Sequence, residues 1–179
     1  MSAAVRTMGE AFTICAASLL LTVSPGVASA SAGTSHTQDV DPSGFASGAR
    51  VQAQLREMLA EMKPDQGFMW RPLVREGATV AAIEIWKKPG RPAVHPAEAE
   101  YAIVLEGSGT LVSGGVMSDP TPKNPNLVEG SQIEGGTTRT LGPGDVILIP
   151  AGVPHWFGIA GDRLILLGIK LPGANRPTQ

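Results

Sequence analysis

The stretch GDVILIPAGVPH, residues 144–155, says most about how this chain folds. Its centre, VILI, is a four-residue apolar run with the length of a buried β-strand. Gly144 precedes this run and Pro150 to Gly152 follow it, and glycine at such corners permits a positive φ or a close approach of two backbones. The stretch therefore predicts a strand and a tight turn, with His155 near the start of the next strand.

The residues around this stretch continue the pattern of short strands and turns. The chain has 22 Gly and 15 Pro among 179 residues, too many for a mostly helical protein, and its 42% of hydrophobic residues suffices for a packed core. Alternating apolar runs between Gly and Pro predict eight strands, at 68–74, 79–86, 101–105, 110–112, 137–141, 146–149, 155–159 and 164–171. We expect an all-β fold, either a sandwich or a small closed barrel.

One helix is predicted ahead of the strands. Ser47 is a suitable N-cap, and Lys63-Pro64 ends the helical pattern. An apolar stripe typical of core packing is formed by Val51, Leu55, Met58, Leu59 and Met62.

The connection 114–136 breaks the even spacing of the strands. It is rich in Gly, Pro and Asn and is longer than an ordinary hairpin loop. The sequence leaves open whether this connection is a lid over a site or an exposed loop without function.

The first thirty residues have the layout of a secretory signal peptide. Arg6 precedes an apolar run at 11–23, and the small residues Ala28-Ser29-Ala30 follow it. A membrane-spanning helix needs roughly 20 apolar residues, and this run is shorter. The single cysteine, Cys15, lies inside the run, so the expected mature chain has neither a disulfide nor a thiolate. We expect an exported protein, periplasmic or secreted, without stable membrane insertion.

These patterns indicate one domain with two flanking segments. Net charge is -2, from 14 Lys and Arg against 16 Asp and Glu, and the charges form no block, which argues against a nucleic-acid partner. The predicted parts are a signal peptide at 1–32, a flexible leader at 33–46, the helix at 47–66, the barrel at 67–172 and a tail at 173–179.

Two histidines and one glutamate stand where a site can form. His95 and His155 each adjoin a proline close to the start of a strand, which places both at the mouth of a barrel. In the strand predicted after Glu100, alternate side chains lie on opposite faces, so Ala102 and Val104 share a face with Glu100. A carboxylate there needs a partner, because burying it alone costs on the order of several kcal/mol. Two imidazoles and one carboxylate form the ligand set of non-haem iron and also bind Mn, Zn, Ni or Cu.

At these residues the chain resembles the cupin superfamily of small β-barrels. The second motif of that family reads Gly, five residues, Pro-x-Gly, two residues, His, and residues 144–155 meet it in full. Only the Asn that ends the motif is missing, where this chain has Ile159. The resemblance covers about residues 67–172. It implies an antiparallel jelly-roll barrel with the helix packed outside, and a homodimer, since similar small cupins usually pair.

The first cupin motif is met in part. It ends in His-x-His, three or four residues, Glu, six residues, Gly, and His95, Glu100 and Gly107 fit the second His, the Glu and the Gly. Ala93 stands where the family has its first His. The usual metal site of the family has three His and one Glu, so the resemblance implies a reduced ligand set of His95, Glu100 and His155.

Three functions compete at this point. The leading hypothesis is a cupin that binds a divalent metal through His95, Glu100 and His155 and acts on a small organic molecule by dioxygenase, isomerase or lyase chemistry. The second is a metal-free cupin that binds a small ligand, for which Ala93 is the main argument. The third is a structural module that only dimerises. The sequence does not choose a substrate, because pocket residues are ordered only by the fold.

Other polar and aromatic residues carry less information. Glu84 can face a cavity as an acid or base, but a solvated position is the expectation. Three arginines, Arg71, Arg75 and Arg91, can clamp an anionic substrate, but a position at the surface is the expectation. We expect four aromatic side chains in the core or at an interface: Trp70, Trp86, Trp156 and Phe157. One of them can line a pocket.

Overall fold

The computed structural model describes residues 43–172 of the chain. The predicted signal peptide, most of the predicted leader and the predicted tail lie outside these residues. The elements, in order, are α1 (Gly48–Glu61), β1 (Phe68–Glu76), β2 (Thr79–Trp86), β3 (Ala93–Val94), β4 (Glu98–Ser113), β5 (Val116–Met117), β6 (Thr121–Asn124), β7 (Leu127–Glu129), β8 (Ile133–Glu134), β9 (Thr137–Leu141), β10 (Val146–Ile149) and β11 (His155–Pro172).

All strand pairs are antiparallel, and the two longest strands form the centre of the sheet. β4 and β11 pair from Ser113 opposite His155 to Glu98 opposite Pro172. On its other edge β4 pairs with β9 and β10, while β11 pairs with β2, which pairs with β1. At its start β11 also pairs with β3, which leads to β7 and β6. The sheet curls around one apolar interior, so the expected all-β, barrel-type fold with one helix is confirmed.

Strand boundaries differ from the predictions at two glycines. The runs predicted as separate strands on either side of Gly107 form one strand, β4, and those on either side of Gly161 form one strand, β11. Both glycines have φ +80, and the register between β4 and β11 shifts between Ala160 and Leu164. The two strands therefore stay paired on both sides of these glycines, and the extra residues between Ala160 and Leu164 form a β-bulge. The connection 114–136, expected without strands, contains β5 to β8.

The predicted helix is present and packs on the outer face of the sheet, but it ends at Glu61, before the predicted bound of 66. Its N-cap is Ser47, whose side chain accepts a hydrogen bond of 3.2 Å from the backbone N–H of Arg50. Gln54 donates from its side chain to the Pro72 carbonyl at 2.8 Å, which ties α1 to β1. The apolar cluster under α1 consists of Leu55, Met58, Met62, Ile83, Ile85 and Ile165. Among residues 43–172 no helix is long and apolar enough to cross a membrane.

The interior of the curled sheet is a second apolar cluster. The predicted alternation along β4 is confirmed, because Glu100, Ala102 and Val104 are buried while the residues between them are partly exposed. Glu100 is thus the polar end of an apolar row. The buried members of the interior cluster are Ala102, Val104, Leu111, Leu141, Ile147, Ile149, Phe157, Leu164 and Leu166.

Gly107 is required by the way β4 passes β11. Its φ is +80, and a Cβ at this position would lie 2.1 Å from the Arg163 carbonyl oxygen. We expect Gly107→Ala to lower the free energy of unfolding by more than about 2 kcal/mol, because backbone strain and a clash with backbone add together. Gly144→Ala is the matched control: φ there is +90, but a Cβ meets nothing within 4 Å. Equal losses for the two variants in urea unfolding would contradict this account.

Candidate functional site

A cavity of about 410 Å³ opens at the end of the interior where Glu100 lies. One part of its lining is polar and consists of Glu84, His95, Glu100, His155 and Lys170. Another part of the lining is aromatic and consists of Phe68, Trp70, Trp86, Trp156 and Phe157. The cavity therefore combines a charged floor with walls suited to an apolar or planar molecule.

The fold brings the three predicted site residues together. His155 begins β11 opposite Ala93, and His95 follows β3 directly. The backbone N–H of Gly152 donates to the His95 carbonyl at 2.9 Å, so the predicted corner before β11 also holds the chain at His95. Glu100 Oε2 lies 3.1 Å from His155 Nε2 and 3.4 Å from His95 Nε2. The ligand atoms of the three residues all lie within 4.8 Å of one another.

Backbone carbonyls orient both imidazoles. His95 Nδ1 lies 2.9 Å from the Asn126 carbonyl oxygen, and His155 Nδ1 lies 3.1 Å from that of Val153. Since a carbonyl oxygen only accepts, each Nδ1 donates a hydrogen to it, and Nε2 is the ring nitrogen that faces Glu100 in both histidines. Histidine ligands of metal sites are oriented in this way in many proteins.

This donor set fits a divalent metal. Two ligands bonded to one ion at about 2.1 Å are about 3.0–3.4 Å apart for right-angled to tetrahedral geometry. The distances from Glu100 Oε2 to the two Nε2 atoms, 3.1 and 3.4 Å, lie in this range. Ala93 lines the cavity and offers no fourth donor. Imidazole and carboxylate suit Fe, Mn, Zn, Ni or Cu, and metal binding at this cluster stays a prediction.

Lys170 belongs to the charged cluster, and the sequence did not indicate it. Its ammonium donates to Glu100 Oε2 and lies 3.0 Å from His95 Nε2. Lys170 pairs with Glu100 in the register of β11 against β4. The pattern that points to it is alternation along β11, where Lys170 shares a face with the buried Leu166. A lysine close to the end of an apolar strand otherwise looks like a surface residue.

Glu100 is held as an anion by its neighbours. Burial by itself would raise the pKa of this carboxyl, but hydrogen bonds with His155 and His95, together with the charge of Lys170, outweigh burial. The pKa of Glu100 is therefore well below its usual value. The centre of the cluster carries a negative charge that requires a cation or several hydrogen-bond donors around it.

The expectation that Glu84 is solvated is wrong. Its side chain faces the cavity and the residue is only 7% exposed. Trp86 donates from its indole N–H to Glu84 Oε2 at 3.2 Å. Burial, and then the nearby charge of Glu100, raises the pKa of Glu84 to about 7. Alternation did not identify this position because both faces of β2 are buried, one by α1 and one by the cavity wall.

The aromatic residues contribute more to the cavity than expected. All four for which the sequence predicted a core or interface position line it: Trp70, Trp86, Trp156 and Phe157. The Phe68 and Trp86 rings are in contact, with centroids 4.3 Å apart. Aromatic residues from β1, β2 and β11 meet here because the sheet curls, and no local pattern encodes that curvature.

Part of the connection 114–136 forms a wall of the cavity. Leu127 and Glu129 line it, and the Asn126 carbonyl orients His95. Arg91, expected at the surface, is exposed at the rim and holds the connection through two hydrogen bonds of 3.3 Å to the Gly130 carbonyl. The connection is therefore part of the site and not a loop without contacts to it.

Comparisons with known proteins agree with this geometry at the level of the family. A family profile described as Cupin matches residues 73–170, and no curated protein matches the chain. The polyketide cyclase RemF from Streptomyces resistomycificus is 25% identical, with a TM-score of 0.42 over 63% of this chain and 69% of that chain. TT1209 from Thermus thermophilus is 17% identical, with a TM-score of 0.44 over 66% and 95%. A predicted oxalate decarboxylase from Thermotoga maritima is 16% identical, with a TM-score of 0.44 over 59% and 80%.

Replacing Glu84 with Gln should change the pH dependence of stability. The pKa of Glu84 is about 7 in the folded chain against a usual 4.5, so the folded state holds this proton more tightly. The stabilisation is fully present below pH 4.5 and is lost as pH rises through about 7. Between pH 4.5 and 7.5 we expect Glu84→Gln to gain up to about 3 kcal/mol of unfolding free energy relative to the parent chain.

Urea unfolding in the presence of a chelator measures this change. Glu57→Gln is the control, since Glu57 lies on α1 with half of its side chain exposed. A difference between Glu84→Gln and the parent chain that stays constant with pH would contradict the burial of an ionisable Glu84.

Proposed function

The chain belongs to the cupin family, whose profile matches more than half of its length, and from this premise we propose that it is an exported cupin acting on a small organic molecule with one divalent metal. His95, Glu100 and His155 hold the metal in this proposal. The observation that carries it is the convergence of two backbone-oriented Nε2 atoms on one buried carboxylate oxygen. That arrangement orders three electron-pair donors in a cavity that is large enough for a substrate.

The metal, when bound, supplies Lewis-acid or redox chemistry at the charged floor of the cavity. The residues of the chain supply the rest. Trp86 and Phe157 pack against an apolar part of the substrate, and the part of the connection at Leu127 restricts access of water. Dioxygenase, isomerase and lyase reactions are all compatible with such a site.

Glu84 is the proton-transfer group of the proposed reaction. It lies in the same cavity as the three ligands, and a pKa of about 7 lets it both accept and donate a proton near neutral pH. Its hydrogen bond from the Trp86 indole fixes one oxygen and leaves the other for a substrate. Glu100, with its lowered pKa, stays ionised as a ligand over the same pH range.

A metal-free binding cupin is the second candidate, and one observation favours it. The Lys170 ammonium already lies against Glu100 and His95, so the buried negative charge has a partner without any ion. In that case the cavity binds a ligand through its aromatic walls. Elemental analysis of the purified mature protein separates the two candidates.

Loss of His155 should abolish metal binding. Removing residues that merely orient a ligand lowers metal affinity by about 10–100-fold, so removing a ligand itself should cost at least about 100-fold. We expect this loss for His155→Ala when the metal-depleted protein is titrated with Mn²⁺ or Zn²⁺ in a calorimeter. His36→Ala is the control, because the sequence places His36 in the predicted leader. Unchanged affinity in His155→Ala would rule out this metal site.

Export and pairing are part of the same proposal. The apolar run at 11–23 and the small residues after it support removal of the N-terminus on export. A second copy of the chain is expected to cover the exposed edge strand β10, where Val146 and Leu148 are 62% and 63% exposed.

The exported material itself provides the test of both ideas. Mass spectrometry of the periplasmic or secreted protein should give a chain that starts at Ser31 or Gly33, and light scattering of that protein should give the mass of a dimer. An intact Met1 in this fraction would remove the export proposal, and the mass of a single chain would remove the pairing.

A further inference from the structure

Lys170 occupies the position in the cluster that a cation would take. Its ammonium donates to Glu100 Oε2, the same oxygen that lies 3.1 Å from His155 Nε2 and 3.4 Å from His95 Nε2. It also lies 3.0 Å from His95 Nε2. One positive group of the chain therefore already uses two of the three donors that would bind a metal.

Resting on the proposed metal site, we propose that the Lys170 ammonium is a tethered competitor of the metal, which binds only by displacing it from Glu100 and His95. His95 Nε2 faces either the ammonium of Lys170 or an ion, and Glu100 Oε2 already has three groups around it. An ammonium and a divalent ion that contact the same carboxylate oxygen also repel each other. The Lys170 ammonium and the metal ion therefore exclude each other from the cluster.

Register, and not chance proximity, places the ammonium there. Lys170 and Glu100 are paired residues of β11 and β4, in the ladder that forms the centre of the sheet. The partner at Glu100 is therefore part of the fold in the absence of metal. Metal affinity is reduced by the free energy of this ion pair.

The displaced side chain has room to move. The Lys170 side chain is 34% exposed, and its long flexible stem reaches other positions at the cavity mouth. Exchange therefore requires a rotation of one side chain and no change in the sheet.

Titration of metal-depleted variants with Mn²⁺ tests the proposal. We expect Lys170→Met to bind Mn²⁺ at least about tenfold more tightly than the parent chain, because the ion no longer has to break the ion pair. Lys170→Gln, which keeps a donor but not the charge, should also bind more tightly. Lys170→Arg keeps the charge and should bind no better than the parent chain. Lys88→Met is the matched control: Lys88 donates to the Asp65 carbonyl at the surface, and its loss changes the net charge equally.

Thermal unfolding provides a second measurement that does not depend on activity. Without metal, Lys170→Met should unfold at a lower temperature than the parent chain, since Glu100 loses its partner. Saturating Mn²⁺ should raise the unfolding temperature of Lys170→Met by more than that of the parent chain. If Lys170→Met does not fold, Lys170→Gln and Lys170→Arg still give the comparison of a neutral with a charged side chain.

The outcomes separate this proposal from the metal site on which it rests. Equal or weaker binding by Lys170→Met and Lys170→Gln would overturn the competition and leave the metal site in place. Binding by these two variants but not by the parent chain would support the competition in its strongest form. No binding by any variant would overturn the metal site and, with it, the competition.

Discussion

The ladder between β4 and β11 is the interaction on which both the barrel and the site depend. It runs the full length of the two longest strands and carries two other parts of the sheet on its outer edges. The same ladder sets Glu100 opposite Lys170 and begins at His155. A slip of β11 by one residue would turn Lys170 away from the face that carries Glu100, and Leu166 with it, so the apolar interior and the charged cluster are specified together.

Burial of an ionised carboxylate costs free energy, and the residues around Glu100 have to offset that cost. Glu100 lies at the end of an apolar row, and only His95, His155 and Lys170 compensate it in the part of the chain that the structure describes. Glu84 lies in the same cavity, and its pKa moves in the opposite direction because burial dominates there. These two carboxyls of the cavity thus differ in charge near neutral pH, in keeping with the roles of ligand and proton-transfer group that we propose for them.

Much of the fold and part of the site were accessible from the sequence, because they depend on local patterns. A capped amphipathic helix, the alternation along Glu100, Ala102 and Val104, and the corner before His155 each involve residues only a few positions apart. The candidate ligands were accessible for the same reason, since two motifs with fixed spacing contain them. The strand breaks predicted at Gly107 and Gly161 were wrong, because long-range pairing absorbed both glycines.

Sequence patterns alone thus determined the strand-rich architecture and the helix, which follow from periodicity and turn chemistry, and the three candidate ligands, which lie in the two spaced motifs. Tertiary structure alone decided that Glu84 and Lys170 join these ligands and that five aromatic residues line the same cavity. Alternation separates the two faces of a strand, but in β2 both faces are buried, and the pattern cannot show which one meets a charged cavity. That assignment depends on where α1 packs and how the sheet curls, and both are set by contacts between residues far apart in the chain.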